Sequence, residues 1–200
     1  MKIPSSALIA PIAACILTLA AGTAAAQGTP PPAQDEPDTV VLSDTLHYDD
    51  INKTSTFTGN VVLTRGAMTL RGDKLVTHED AQGNQFGTAT ADAGKVVTIR
   101  RENPEKFETL IATGLKADYA GASGDITLTG QATVTRHICG RPFDKVQGAR
   151  IIYHDKAGTY EAFGGKQSAA AGGRVRSLAQ PQSRIERAIA QCKSKKAGGS

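Results

Sequence analysis

The stretch Thr56-Phe57-Thr58-Gly59-Asn60-Val61-Val62-Leu63-Thr64-Arg65 decides how this chain folds. It returns 71 residues later as Thr127-Leu128-Thr129-Gly130-Gln131-Ala132-Thr133-Val134-Thr135-Arg136. At this offset Tyr48, Thr56, Thr58, Gly59, Thr64 and Arg65 recur identically, while Phe57/Leu128, Asn60/Gln131 and Leu63/Val134 recur in kind. After five extra residues the register resumes, and residues 72–78 are answered by residues 148–154. In the second copy Ile126, Leu128, Gly130, Ala132 and Val134 are small or apolar, and Thr127, Thr129, Gln131, Thr133 and Thr135 are polar. Period two is the signature of a strand with one buried face. The alternation continues through Gly130, which predicts one strand bent there, where the missing side chain lets another backbone approach. Two such units stacked together set the theme of the fold.

Working outward, strands are predicted at 39–42, 46–48, 67–70 and 74–77, the last two either side of Arg71-Gly72-Asp73. Residues 79–94 read as a longer connection with one weak strand, and 95–100 as a clear strand. A charged tip at 101–106, where Pro104 cannot donate to a ladder, leads to a strand at 107–113 and its continuation through Tyr119. Residues 140–144 read as a turn, and 150–154 and 159–163 as a final hairpin. Turn residues thus arrive every 8 to 12 positions with no helix before Gly165, as in an all-β sandwich or roll. Beyond it, 167–182 is low in complexity and expected to be disordered. Residues 184–192 carry Ile185, Ala188, Ile189 and Cys192 at helical spacing.

The 200 residues suit one domain with tails, and 40% apolar content supplies an ordinary core. Aromatics make up only 4%, with no Trp, which fits an interior not tightly plugged by rings. The net charge of +4 is unevenly spread. Residues 166–200 hold eight basic side chains against Glu186, and Lys2 adds one more, so residues 27–165 carry −4.

Residues 1–26 have the form of a secretory signal: Lys2, an apolar Ala-rich run, then Ala24-Ala25-Ala26 before Gln27. Ile12-Ala13-Ala14-Cys15 offers an alternative, a lipoprotein processing site behind a very short apolar stretch. Residues 27–38 form a Pro-rich, acidic lead-in. Export would place Cys139 and Cys192 in an oxidising compartment, where a bridge between them and two unpaired thiols both stay open.

Catalysis finds no support. G-x-S-x-G, H-E-x-x-H, C-x-x-C and Walker patterns are absent, so the chain reads as a non-enzyme without cofactor or metal. His47, His78, His137 and His154 read as exposed strand-end and turn residues, not ligands. Nucleic acid is excluded because the basic residues sit in an exported tail without aromatic company. Binding remains.

Three segments carry a family likeness: DTLHYDDINKTSTFTGNVVLTRGAMTLRGDKLV (44–76), GLKADYAGASGDITLTGQATVTR (114–136) and VQGARIIYHDKAGTYEAFGG (146–165). Together with the signal segment they resemble the LptA/OstA-like family of periplasmic lipopolysaccharide-transport proteins over residues 39–165. The resemblance implies an open, twisted antiparallel β-jellyroll with two splayed sheets around an apolar groove. It also implies head-to-tail stacking between inner-membrane LptC-like and outer-membrane LptD-like jellyroll domains, with lipid A acyl chains in the groove. Carried onto this chain, the groove positions are Thr39, Val41, Ile99 and Tyr119. Strand parity adds Phe57, Val61, Leu63, Ile126, Leu128 and Val134, for each of which groove lining and plain core packing both stay open. The chain departs from the family in Thr39, where a larger apolar residue is expected, in Cys139 and Cys192, and in its basic tail. Two alternatives stand beside the carrier reading: a membrane-anchored LptC-like component, and an envelope module that polymerises without lipid.

Overall fold

The structure, a computed structural model, describes residues 37–197. The signal segment, the Cys15 processing site and all but the end of the lead-in lie outside the described residues. Twelve antiparallel strands run in the order β1 (Thr39–Leu42), β2 (Thr45–Asp49), β3 (Thr54–Arg65), β4 (Met68–Glu79), β5 (Gln85–Thr90), β6 (Val97–Asn103), β7 (Glu108–Gly114), β8 (Lys116–Ala120), β9 (Asp125–Ile138), β10 (Arg141–His154), β11 (Thr159–Phe163) and β12 (Arg176–Leu178). A helix, α1 (Gln182–Ala197), follows.

The repeat read in the sequence is a repeat of strand plan. In the first copy β2 and β1 pair end to end with successive halves of β3, β4 spans all of β3, and β5 and β6 pair with successive halves of β4. In the second copy β8 and β7 do the same on β9, and β11 and β12 on β10. The β5–β8 and β6–β7 pairs join the copies. The result is two antiparallel layers sharing four long strands. We call the upper layer β1-β3-β4-β6-β7-β9-β10-β12 and the lower layer β2-β3-β4-β5-β8-β9-β10-β11. This is the open β-jellyroll.

Each long strand passes between layers at a glycine. β3 carries one extra residue relative to β4 between Thr58 and Val61, and β9 one relative to β10 between Thr129 and Ala132. Both bulges place two successive residues at positive φ, Gly59 (80°) with Asn60 (46°) and Gly130 (74°) with Gln131 (50°). An extra residue in a left-handed conformation bends the strand and increases its twist, and glycine tolerates that conformation without a Cβ clash. The Gly59 carbonyl accepts from Asp44 N–H at 3.0 Å, and the Gly130 carbonyl from Leu115 N–H at 2.9 Å, each donor lying where a flanking strand breaks in two.

Three expectations are corrected. Residues 67–70 and 74–77 are not two strands around a turn but one, β4, because Gly72 is a bend where an added Cβ would press on the Thr90 carbonyl. The turn expected at 140–144 is confined to its start, since β10 begins at Arg141 and Pro142 sits at a bulge, where its missing N–H removes little from the ladder. The tail expected to be disordered is ordered. Gln131 N–H donates to the Gln167 carbonyl at 2.7 Å, β12 takes the open edge of β10 at Lys145–Gln147, and Cys139 and Cys192 form a disulfide across a Cα separation of 6.3 Å. Each tail element thus finds a backbone or covalent partner that its composition does not announce. Residues 184–192, expected to coil, lie within α1, whose Ile185 is buried.

Candidate functional site

Cross-strand pairing lines up side chains into rows, and two inward rows face each other. Across the lower layer the row reads Leu46, Phe57, Leu75, Ala89, Ala117, Leu128, Ile151, Ala162. Across the upper layer it reads Val41, Leu63, Leu70, Ile99, Ala112, Val134, Val146, Ser177. Cross-strand neighbours on one face are the packing unit of a sheet, so an unbroken apolar row makes a continuous wall. The first copy closes the space between the walls with Val61, Leu75 and Val97, all buried.

Where the second copy meets β6 and the start of β4, the space stays open. A cleft of about 340 Å³ lies between Ile99, Ala112, Val134 and Val146 above and Ile126, Leu128, Ile151, Tyr153 and Tyr160 below, with Met68 and Leu110 at its upper rim. Ala112, the one small side chain of the lining, stands where a filled core would put bulk.

Charge is confined to the rim. Arg136 binds the Asp144 carboxylate and lies 3.5 Å from Glu108 Oε2. Burial acts to lower the Arg136 pKa, but the carboxylates of Asp144 and Glu108 outweigh it and hold the guanidinium above its usual value. Arg101 donates to Asp155 at 2.9 Å and lies 5.5 Å from the centre of the Tyr153 ring. Lys145 completes the charged lining.

Of the ten positions expected from the sequence, Ile99, Ile126, Leu128 and Val134 line the cleft. Val41, Phe57, Val61 and Leu63 belong to the same apolar cluster but lie outside the cleft lining, Val61 buried and the other three half-buried. Tyr119 lies in the next row out, between Gly87 and Ile126, and Thr39 is exposed at the end of β1 opposite Arg65. The apolar and aromatic lining residues the reading missed include Val146, Ile151, Tyr153 and Ala112. The repeat offset signals the first two, since Leu70 and Leu75 of the first copy correspond to them. Val62, apolar and outward, pairs with Leu42 on the outer face. Among the described residues no three of His, Cys, Asp and Glu converge; His78 stacks on Phe86 at 4.9 Å and His154 Nδ1 lies 2.9 Å from Asp125.

The open antiparallel β-jellyroll with an apolar cleft between its layers is the class that fold and site define. Residues 40–159 match the model of the LptA/(LptD N-terminal domain) LPS transport protein family, and the chain belongs to that family. A family of transport proteins accords with a chain in which no catalytic constellation was found. Among solved structures the chain is similar to LptH, described as the LptA-homologous periplasmic component of the lipopolysaccharide transport device of Pseudomonas aeruginosa. The TM-score is 0.60 at 24% identity, over 72% of this chain and 96% of that one, a likeness of fold. No curated protein matches the sequence.

Proposed function

We propose that this chain is a periplasmic carrier and bridge for lipopolysaccharide, sheltering the lipid A acyl chains between its layers on the way from inner to outer membrane. The observation that carries this reading is the unfilled space between two apolar walls, lined by Ile99, Ala112, Val134 and Val146 on one side and Ile126, Leu128 and Ile151 on the other. Burying acyl carbon is worth roughly 0.8 kcal/mol per CH₂, so a chain of about a dozen carbons costs on the order of 10 kcal/mol to expose to water. A lipid crossing an aqueous space therefore needs shelter along its whole path.

In this reading Ile99, Ile126, Leu128 and Val134 form the lipid-facing wall, Val41, Phe57, Val61 and Leu63 support it from the packed end, and Thr39 and Tyr119 stand at the margins. Bridging uses the outermost strands. Among the described residues β1 and β2 pair only with β3, and β11 and β12 only with β10, so both ends offer strand edges for head-to-tail addition of a second copy or of LptC-like and LptD-like jellyroll domains. The signal segment is removed after Ala26, and N-terminal sequencing of the exported chain checks this by returning Gln27.

A photoreactive side chain placed at Ile99 or Ile126 should crosslink to lipopolysaccharide in cells, and one at the outward-facing Thr127 should not. Equal labelling at all three positions would sink the reading.

A further inference from the structure

Charges near the cleft divide into two groups. Those of the lining are mostly compensated, Arg136 by Glu108 and Asp144 and Arg101 by Asp155. Those of α1 are not. Among the described residues Arg184, Arg187 and Lys193 are exposed and have no carboxylate partner, and Glu186, the one acid of the helix, is bonded to Gln182.

The helix is also held in place. Just before it, Gln180 N–H donates to Asp144 Oδ1 at 2.7 Å, and Arg184 donates to Gln180 Oε1 at 2.8 Å. Arg184 is therefore two hydrogen bonds from a carboxylate that lines the cleft. Farther along, the disulfide ties Cys192 to Cys139 at the tip of the β9–β10 hairpin, and the buried Ile185 turns the apolar stripe of α1 onto the domain. Arg184 is thus held at the rim of the apolar cleft, and Arg187, three residues on, shares its side of α1.

We infer that α1 is the headgroup-binding arm of the lipid site, with Arg184 and Arg187 receiving the phosphate groups of a lipid whose acyl chains occupy the cleft. This rests on the acyl-chain reading above. Acyl chains between the walls leave the polar head at the rim, because burying a charged phosphate without partners is costly. Arginine matches phosphate geometry with its forked donors. Exposed contacts of this kind are individually weak and screened by salt, so the arm acts as the sum of both.

The test measures binding of the full chain to two probes: hexa-acylated lipid A with two phosphates, and the same lipid A stripped of phosphate. The unaltered chain should prefer the phosphorylated probe. The double variant R184Q/R187Q should bind that probe about tenfold more weakly and the stripped probe unchanged. A C139S/C192S variant, which keeps every charge but frees the helix, should lose the same preference. Equal affinity of the unaltered chain for both probes overturns the inference, as does an equal loss on both in the double variant. No binding of either probe overturns the acyl-chain reading instead. Loss of binding to vesicles of anionic phospholipid with unchanged lipid A affinity would assign α1 to a membrane surface and also overturn the headgroup site.

Discussion

The Arg101 guanidinium donates to the Asp155 carboxylate at 2.9 Å, joining β6 of the upper layer to the turn after β10 in the lower layer. Because Arg101 and Tyr153 both line the cleft, the pair is a clasp across its open side. Both side chains are substantially exposed, so the bond contributes less than about 1 kcal/mol to stability. Asp155→Asn should therefore leave the unfolding midpoint nearly unchanged while speeding entry and release of a fluorescent lipopolysaccharide several-fold in stopped-flow measurements. Unaltered exchange rates would show that the clasp does not gate the cleft.

Ala112 sits midway along the upper wall and lines the cleft. Ala112→Phe adds a ring to a space that is already empty, so it should fold normally and lower lipopolysaccharide affinity at least tenfold. Titration calorimetry on the variant checks this. Full affinity with a well-folded protein would place the acyl chains elsewhere.

Gly59 and Gly130 occupy equivalent bends but meet different neighbours. A Cβ at Gly130 would run into the Leu115 side chain, and one at Gly59 into the exposed Asp44. Both substitutions to Ala force a side chain into positive φ, at a cost of about 1–3 kcal/mol. Gly130→Ala should cost more than Gly59→Ala, because Asp44 can swing into solvent and Leu115 is confined beside the bend. Urea unfolding of the two variants reads the difference, and the reverse order would contradict the packing assigned to the second bend.

The Cys139–Cys192 bridge closes a loop with a sequence separation of 53. Its removal by Cys192→Ser should cost about 2–4 kcal/mol in unfolding stability. It should also free α1 before the jellyroll unfolds, since the helix is otherwise held by few side chains. Limited trypsin digestion followed by mass spectrometry should then show early cleavage after Arg184 and Arg187. A digestion pattern matching the bridged protein would mean that packing alone retains the helix.

Several carboxylates are held below their ordinary value of 3.8. Asp80 is lowered chiefly by the Asn84 side chain, Asp73 by Lys95 and Asp125 by His154. A folded-state pKa below the unfolded value means that the stabilising contribution is complete above about pH 3.8 and is lost as pH falls through the folded value. Asp80→Ala should accordingly destabilise the protein at neutral pH, and the gap from the unaltered chain should narrow below about pH 3.8. Chemical unfolding at a series of pH values measures the gap, and a constant gap would remove the charge from the explanation.

Much of the wall was legible before the fold. The parity of Ile126, Leu128 and Val134 is a property of the chain itself, because successive side chains of a strand point to opposite faces, and all three line the cleft. Parity says only which side is inward. It does not say which inward residues border the cleft, so it could not separate Phe57, away from it, from Leu128, its counterpart in the lining. Local turn chemistry misled at Gly72, where a glycine followed by aspartate looks like a reversal and is a bend in a strand held on both edges.

The duplicated Thr56–Arg65 motif, by its alternation and its glycine, determined that this protein is built from two copies of a bent-strand unit with one apolar face. Those features act between neighbours along the chain, and the residue types specify them. Tertiary structure alone decided that a cleft stays open between the layers, that Arg101 reaches Asp155, and that the basic tail is pinned to β10 by β12 and to Cys139 by Cys192. These depend on which strand edges and side chains meet across long separations, and the energy of such meetings is invisible until both partners have been placed.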